Sequence, residues 1–116
     1  MDEAVLKYLH DIQNSILEIN SYFENKPKDL FEYQQNTMLK RAVERDLEII
    51  GEAMNRILKK DCSITEQIPE SRSIISLRNL VIHAYDSISD EIIWSVITHH
   101  LPKLQGEVEQ LINHQQ

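Results

Sequence analysis

Val5, Leu9, Ile12, Ile16, Ile19 and Phe23 follow one another at alternating gaps of four and three. Side chains at that spacing fall on one stripe of an α-helix, which turns once every ~3.6 residues. The same pattern returns between Thr37 and Lys60 through Leu39, Val43, Leu47, Ile50, Met54 and Ile57. Two long helices, each with one apolar face, are stable only when those faces are buried against each other and against further helices. Two glycines and three prolines in 116 residues are too few turn-formers for a many-stranded sheet. The expectation is therefore one all-α domain spanning residues 1–116: an up-and-down bundle of four main helices with a C-terminal helical tail.

The punctuation sets the expected boundaries. The first helix runs from residue 2 to about 25 and is broken by Lys26-Pro27-Lys28-Asp29. Leu30 to Gln35 forms a short helical turn, and Asn36 or Thr37 caps a second helix reaching Lys60. Residues 61–70 make the longest connection, where Ser63 and Glu66 have the spacing of a capping box and Pro69 limits helix to a turn. A third helix is expected from Ser71 or Arg72 to about Tyr85. It is apolar nearly all round through Ile74, Ile75, Leu77, Leu80, Val81 and Ile82, which predicts a central position. Asp86 to Ser89 reads as a turn, with Ser89 capping a fourth helix through Ile92, Ile93, Trp94, Val96 and Ile97 that Pro102 kinks or splits. Both glycines fall inside helices, where each costs about 1 kcal/mol against alanine. At Gly51 the expected compensation is close approach of another helix, within the bundle or across a dimer.

Several function classes are excluded or disfavoured at this level. The net charge of −7 speaks against broad nucleic-acid binding through clustered basic residues, and no DNA partner is expected. A small local phosphate site remains compatible with it. No apolar run approaches the ~18 residues of a membrane span. Met1-Asp2-Glu3 is acidic and no apolar stretch follows, unlike a secretory signal, and Cys62 is a single thiol, so a reducing cytoplasm is expected. His99 and His100 are adjacent and diverge by roughly 100° on a helix, so they cannot share a metal. Glu-x-x-His is absent, as is a Gly-rich phosphate loop; no metal site and no cofactor are expected. His10, His99, His100 and His114 read as surface or boundary residues, and Cys62 has no activator beyond Lys59 and Lys60.

The stretch Arg78-Asn79-Leu80-Val81-Ile82-His83, followed by Ala84 and Tyr85, carries the chemistry. An arginine can brace developing negative charge on a phosphodiester, and a histidine can move a proton near neutral pH. Positions five apart on a helix diverge by about 140°, so Arg78 and His83 do not share a ridge, whereas Asn79 and His83 do. Either the long arginine side chain swings around the helix, or two copies of the helix face each other across a two-fold axis and form a composite cleft. The plainer alternative is an arginine paired with Glu48 or Glu52 and a histidine capping carbonyls. Arg45, Glu48 and Glu52 lie three and four apart on the second helix. They read either as ion pairs on a wet face or as groups behind the third helix that orient Arg78 or His83.

Ala42-Val43-Glu44-Arg45-Asp46-Leu47-Glu48-Ile49-Ile50-Gly51-Glu52-Ala53, with Leu77-Arg78-Asn79-Leu80-Val81-Ile82-His83-Ala84-Tyr85, resembles the HepT branch of the HEPN superfamily, small helical proteins with an Arg-x4-His-x-Tyr motif. Ile92-Ile93-Trp94 and Leu101-Pro102-Lys103-Leu104 are similar to that family's fourth helix and tail, so the resemblance covers essentially the whole chain. It implies a HEPN-like homodimer and a metal-independent endoribonuclease. Such an enzyme acts as the toxin of a type VII-like toxin–antitoxin pair, with RNA as substrate. Arg78 and His83 would be catalytic, with Asn79, Glu48 and Glu52 in support. The implied partner is an MntA-like nucleotidyltransferase antitoxin that transfers AMP to the motif tyrosine, Tyr85. Ala84 stands where the family often has glycine, and Asp46 where a neutral polar residue is more usual. The rival expectation is a non-catalytic helical dimer, or a nucleotide-binding module, that docks the nucleotidyltransferase.

Overall fold

The computed structural model describes residues 1–24, 26, 28–83 and 90–114, with Ile82 and His83 described through their backbone. In order along the chain come α1 (Glu3–Tyr22), α2 (Leu30–Gln35), α3 (Thr37–Lys60), a 3-10 turn (Cys62–Glu66) and α4 (Ser71–His83). They are followed by α5 (Asp90–Ser95), a π-helical segment (Val96–His100) and α6 (Leu101–Asn113). No strand occurs among the described residues. The expected turn at Asp86–Ser89 and the end of the third helix at Tyr85 lie outside them.

Side-chain caps fix the helix starts. Asp2, Asp29 and Asn36 accept hydrogen bonds from the backbone N–H groups of Ala4, Phe31 and Leu39. Each supplies a partner for a donor the helix itself cannot satisfy. Asn36 is thus the cap of α3. In the 61–70 connection the cap is Asp61, which accepts from Ser63 N–H at 3.1 Å and from the Ser63 hydroxyl. Asp61 therefore takes the capping role expected of a Ser63–Glu66 box, because an aspartate two residues upstream already serves the first free N–H.

The apolar stripes meet as their spacing requires. Val5, Leu9, Ile12, Ile16 and Ile19 of α1 are buried against Val43, Leu47, Ile50, Met54 and Ile57 of α3. α6 covers α1 with Leu104, Val108 and Ile112, so the tail is part of the bundle. α2 closes one end over α3 and α5, where Tyr33 and Phe23 pack on Trp94 with ring centroids 5.4 and 5.8 Å apart.

Two expectations are corrected. The central helix is α3, which contacts α1, α2 and α4; α4 lies against α3. Ile74, Ile75, Leu77 and Val81 are only half-buried and Leu80 is 53% exposed. An all-round apolar helix marks a helix with more apolar surface than one chain covers, and centrality is only one way to cover it. Pro102, in turn, does not split the fourth helix: α5, the π segment and α6 abut without a break. Proline has no N–H to give the carbonyl four residues back and its ring crowds that carbonyl. The wider turn accommodates this, with Leu101 N–H bonding Val96 O five residues back.

Candidate functional site

Gly51 sits midway along α3 where α4 crosses it. A Cβ built on Gly51 would lie 2.7 Å from Arg78 Cγ and 3.2 Å from the Ile74 carbonyl oxygen, with Arg78 Cβ nearer still. Any side chain at 51 would push α4 away. The glycine is compensated within the chain, and what it admits is the stem of Arg78.

With its stem fixed, the guanidinium has few places to go. Arg78 Nη2 lies 2.7 Å from Glu52 Oε2, and Nη1 donates to Asn79 Oδ1 at 2.8 Å. Glu52 Oε1 accepts from Arg56 Nε at 3.0 Å, so one carboxylate holds two guanidinium groups. Arg78 Nε is buried without an acceptor among the described residues. Half-exposed ion pairs contribute on the order of 1 kcal/mol or less. The arrangement fixes where the guanidinium is more than it stabilises the fold.

Of the two readings of the polar cluster on α3, Glu52 satisfies both: it pairs along its own helix with Arg56 and across to Arg78. The plainer alternative for Arg78, an ion pair with an α3 glutamate, is realised through Glu52. Glu48 lines the groove that holds Glu52 and Arg78 and has no ion-pair partner among the described residues; Arg45 is exposed. Asn79 is exposed on the ridge that α4 continues to His83. By reaching Asn79, Arg78 has turned around the helix toward that ridge within a single chain. The His83 side chain and Tyr85 lie outside the described residues.

Sequence reading missed two neighbours of this cluster, Arg56 and Tyr8. Arg56 was legible, standing four residues after Glu52 on the same face. Tyr8 was not, because it comes from α1 and meets Arg56 only through the packing of α1 on α3. Its hydroxyl, followed by Glu52, holds the Arg56 guanidinium above its ordinary pKa.

A second polar cluster lies beneath α1. The Tyr22 hydroxyl is 2.7 Å from Glu18 Oε1 and 2.8 Å from Asp46 Oδ2, and Asp46 is 2% exposed. A hydroxyl has one proton to donate, so the second short contact calls for a proton on a carboxyl. Burial pushes the Asp46 carboxyl up to about 6; the Tyr22 hydroxyl opposes the rise and the Glu18 charge adds to it. Burial, then the contacts with Glu18 and Asp46, push the Tyr22 phenol well above its usual range. A carboxyl raised this far takes up a proton at a higher pH than an ordinary aspartate does.

Elsewhere His100 pairs with Glu70 at 3.3 Å, tying the 61–70 connection to the π segment, and Cys62 is exposed. No helix among the described residues is long and apolar enough to cross a membrane.

Comparison with known proteins places this geometry in a family. The family described as ribonuclease HepT-like matches residues 12–111, a stretch that contains Gly51, Glu52, Arg78, His83 and Tyr85. A Methanocaldococcus jannaschii protein named "Putative RNase MJ1380" is 35% identical over 90% of this chain and 94% of its own length. A Thermococcus cleftensis protein named "Probable ribonuclease HepT" is 32% identical over 90% of this chain and 92% of its own. A second M. jannaschii relative, MJ0127, bears the same RNase description and is 30% identical over 93% of this chain and 87% of its own. No solved structure matches. With the family matched over most of its length and an all-α, HEPN-like bundle, the chain belongs to the ribonuclease HepT-like family.

Proposed function

We propose that the chain is a homodimeric, metal-independent endoribonuclease and the toxin of a type VII-like toxin–antitoxin pair. The observation that carries this reading is the Arg78 guanidinium, held by Glu52 and Asn79 on the ridge leading to His83, in a chain of the HepT-like family. In the reaction, the 2′-hydroxyl of RNA attacks its neighbouring phosphorus while the bond from phosphorus to the 5′-oxygen breaks. His83 takes the 2′-hydroxyl proton, and a second imidazole, the symmetry-related His83, returns a proton to the 5′-oxygen. Arg78 braces the non-bridging oxygens as their charge grows. Glu52 and Asn79 hold Arg78 in place, and Glu48 shapes the wall beside it.

A dimer supports this reading twice over. It brings two copies of each catalytic group to one cleft, and it covers apolar surface that one chain leaves open: Leu80 is 53% exposed, with half-buried Leu77 and Val96 lining the same groove.

Tyr85, two residues beyond His83, is the proposed switch. An MntA-like nucleotidyltransferase would direct the Tyr85 oxygen onto the α-phosphorus of a nucleoside triphosphate. The tyrosine proton is lost, pyrophosphate leaves, and AMP remains on the ring. The added anion repels RNA and fills the mouth of the cleft. The excess of acidic residues, 19 against 12 basic, favours a second reading in which the dimer only docks the nucleotidyltransferase.

Incubation of labelled RNA with the purified protein in EDTA separates the two readings. Cleavage that disappears in Arg78→Ala and His83→Ala supports the enzyme; intact RNA with all three proteins leaves the docking module. Mass spectrometry after co-expression with the nucleotidyltransferase should find AMP on the Tyr85 peptide, and AMP elsewhere or nowhere removes the switch.

A further inference from the structure

The groove beside Arg78 is lined by α1 and α3, with an open volume of about 590 Å³. Lys7, Arg56 and Arg78 all line it, three of the twelve basic side chains of a chain whose net charge is −7. Asp11, Glu48 and Glu52 line it too, so the groove is formally neutral in a chain that is acidic overall. Tyr8 stands among them, half-buried, in the same groove as Arg56 and with the Lys7 ammonium 5.3 Å from its ring centre.

The groups are held side by side. Glu52 accepts a hydrogen bond from Arg56 with one oxygen and forms an ion pair with Arg78 through the other, so the two guanidinium groups are separated by the width of one carboxylate. Glu52 can balance only one of the two guanidinium groups, and Glu48 is the further carboxylate of the groove. Each guanidinium carries five N–H donors, of which Glu52 and Asn79 engage only some. Glu48 and Asp11 also line the groove. Asp11 pairs with Lys7 at 3.0 Å on the surface, a weak and salt-sensitive contact that a polyanion can exchange.

A fork of guanidinium N–H groups matches phosphate oxygens, and an aromatic ring beside such a fork is a platform for an unstacked base. In a duplex the bases are covered, so this combination selects single strands. We propose that Arg56 and Tyr8 form a second RNA subsite next to Arg78: Arg56 takes the neighbouring phosphate, and the Tyr8 ring stacks on the adjoining base. Glu52 spaces the two phosphate contacts. The inference rests on the ribonuclease reading for its substrate.

The test is binding of a short single-stranded RNA with 2′-O-methyl riboses, which cannot be cleaved, followed by fluorescence anisotropy at several salt concentrations with the full chain. Tyr8→Ala should weaken binding about tenfold, and Tyr8→Phe, which keeps the ring, should recover most of that. Arg56→Ala should weaken binding and lower the slope of log K against log salt by about 0.7, the value for one lost single-strand phosphate contact. Arg56→Lys should keep the slope. Wild-type affinity in both alanine variants, no RNA binding by the wild type, or equal competition by an acidic peptide overturns the proposal. Cleavage of unmodified RNA by the wild type is scored separately. A cleaving enzyme indifferent to Tyr8 and Arg56 loses the subsite and keeps the nuclease. Binding through these residues without cleavage keeps the subsite and loses the nuclease.

Discussion

Gly51 and Arg78 occupy one crossing of α3 and α4, and the stem of Arg78 fills the space a side chain on Gly51 would need. The glycine that weakens α3 is therefore the condition for the position of the arginine. Gly51→Ala should destabilise the protein by about 1–3 kcal/mol in urea unfolding through overpacking, and should lower RNA cleavage because Arg78 moves with α4. Gly106, by contrast, has nothing within 4 Å of where a Cβ would be. Gly106→Ala should stabilise by about 0.5–1 kcal/mol, the helix-interior difference between the two residues. Equal effects at both positions would contradict the packing account.

Asp46 makes stability depend on pH in a particular direction. Its folded pKa of about 6 stands above the ordinary 3.8. Its stabilising contribution is therefore fully present below about pH 4 and is lost as pH rises through about 6. The contribution is on the order of 2 kcal/mol, from a shift of roughly two units partly screened by neighbours. Asp46→Asn mimics the protonated carboxyl, so thermal unfolding should show the variant more stable than wild type at pH 8 and the two similar near pH 4. A variant less stable at pH 8 would show that the charged carboxylate is the native form.

Glu52 should matter more for activity than for stability. Glu52→Gln removes the charge that holds Arg78 and Arg56 together, while the amide keeps the shape. Because the pair is half exposed, melting should change by less than about 1 kcal/mol. RNA cleavage should fall roughly tenfold through the misplaced guanidinium. Loss of stability without loss of activity would return Glu52 to a purely structural role.

The apolar side of α4 predicts assembly. Leu80→Glu puts a charge on a half-exposed position where burial against a second copy would not tolerate it. Sedimentation should show a dimer for wild type and a monomer for Leu80→Glu, with the helical content kept. A wild-type monomer, or a variant that still dimerises, contradicts the proposed interface.

Local rules were enough for most of the fold. The stripes of α1 and α3, the cap at Asn36 and the need for close packing at Gly51 all follow from spacing or from one residue's chemistry, whereas the caps at Asp2 and Asp29 were not read. The sequence was less informative where two elements must be known together. The apolar circumference of α4 suggested a central helix because a single sequence does not distinguish burial in the bundle from burial against another copy. The π turn before Pro102 is a compromise between proline and an otherwise unbroken helix. At the site, Glu52 was readable as a partner of Arg78, and Asn79 as the residue sharing a ridge with His83. Tyr8 became a neighbour only when α1 was laid on α3, and the proton shared near Asp46 only when Tyr22 and Glu18 closed over it.

The central claim is that Arg78 and His83 together cleave RNA without a metal. Its most direct measurement is the single-turnover rate of cleavage of a labelled single-stranded RNA, in EDTA, by wild type, Arg78→Ala and His83→Ala, with folding checked by circular dichroism. The account predicts cleavage by the wild type and a loss of at least about 100-fold in each variant, the range expected for one proton-transfer group or one charge-bracing group. Folded variants that cleave as fast as wild type, or a wild type that leaves the RNA intact, would contradict it.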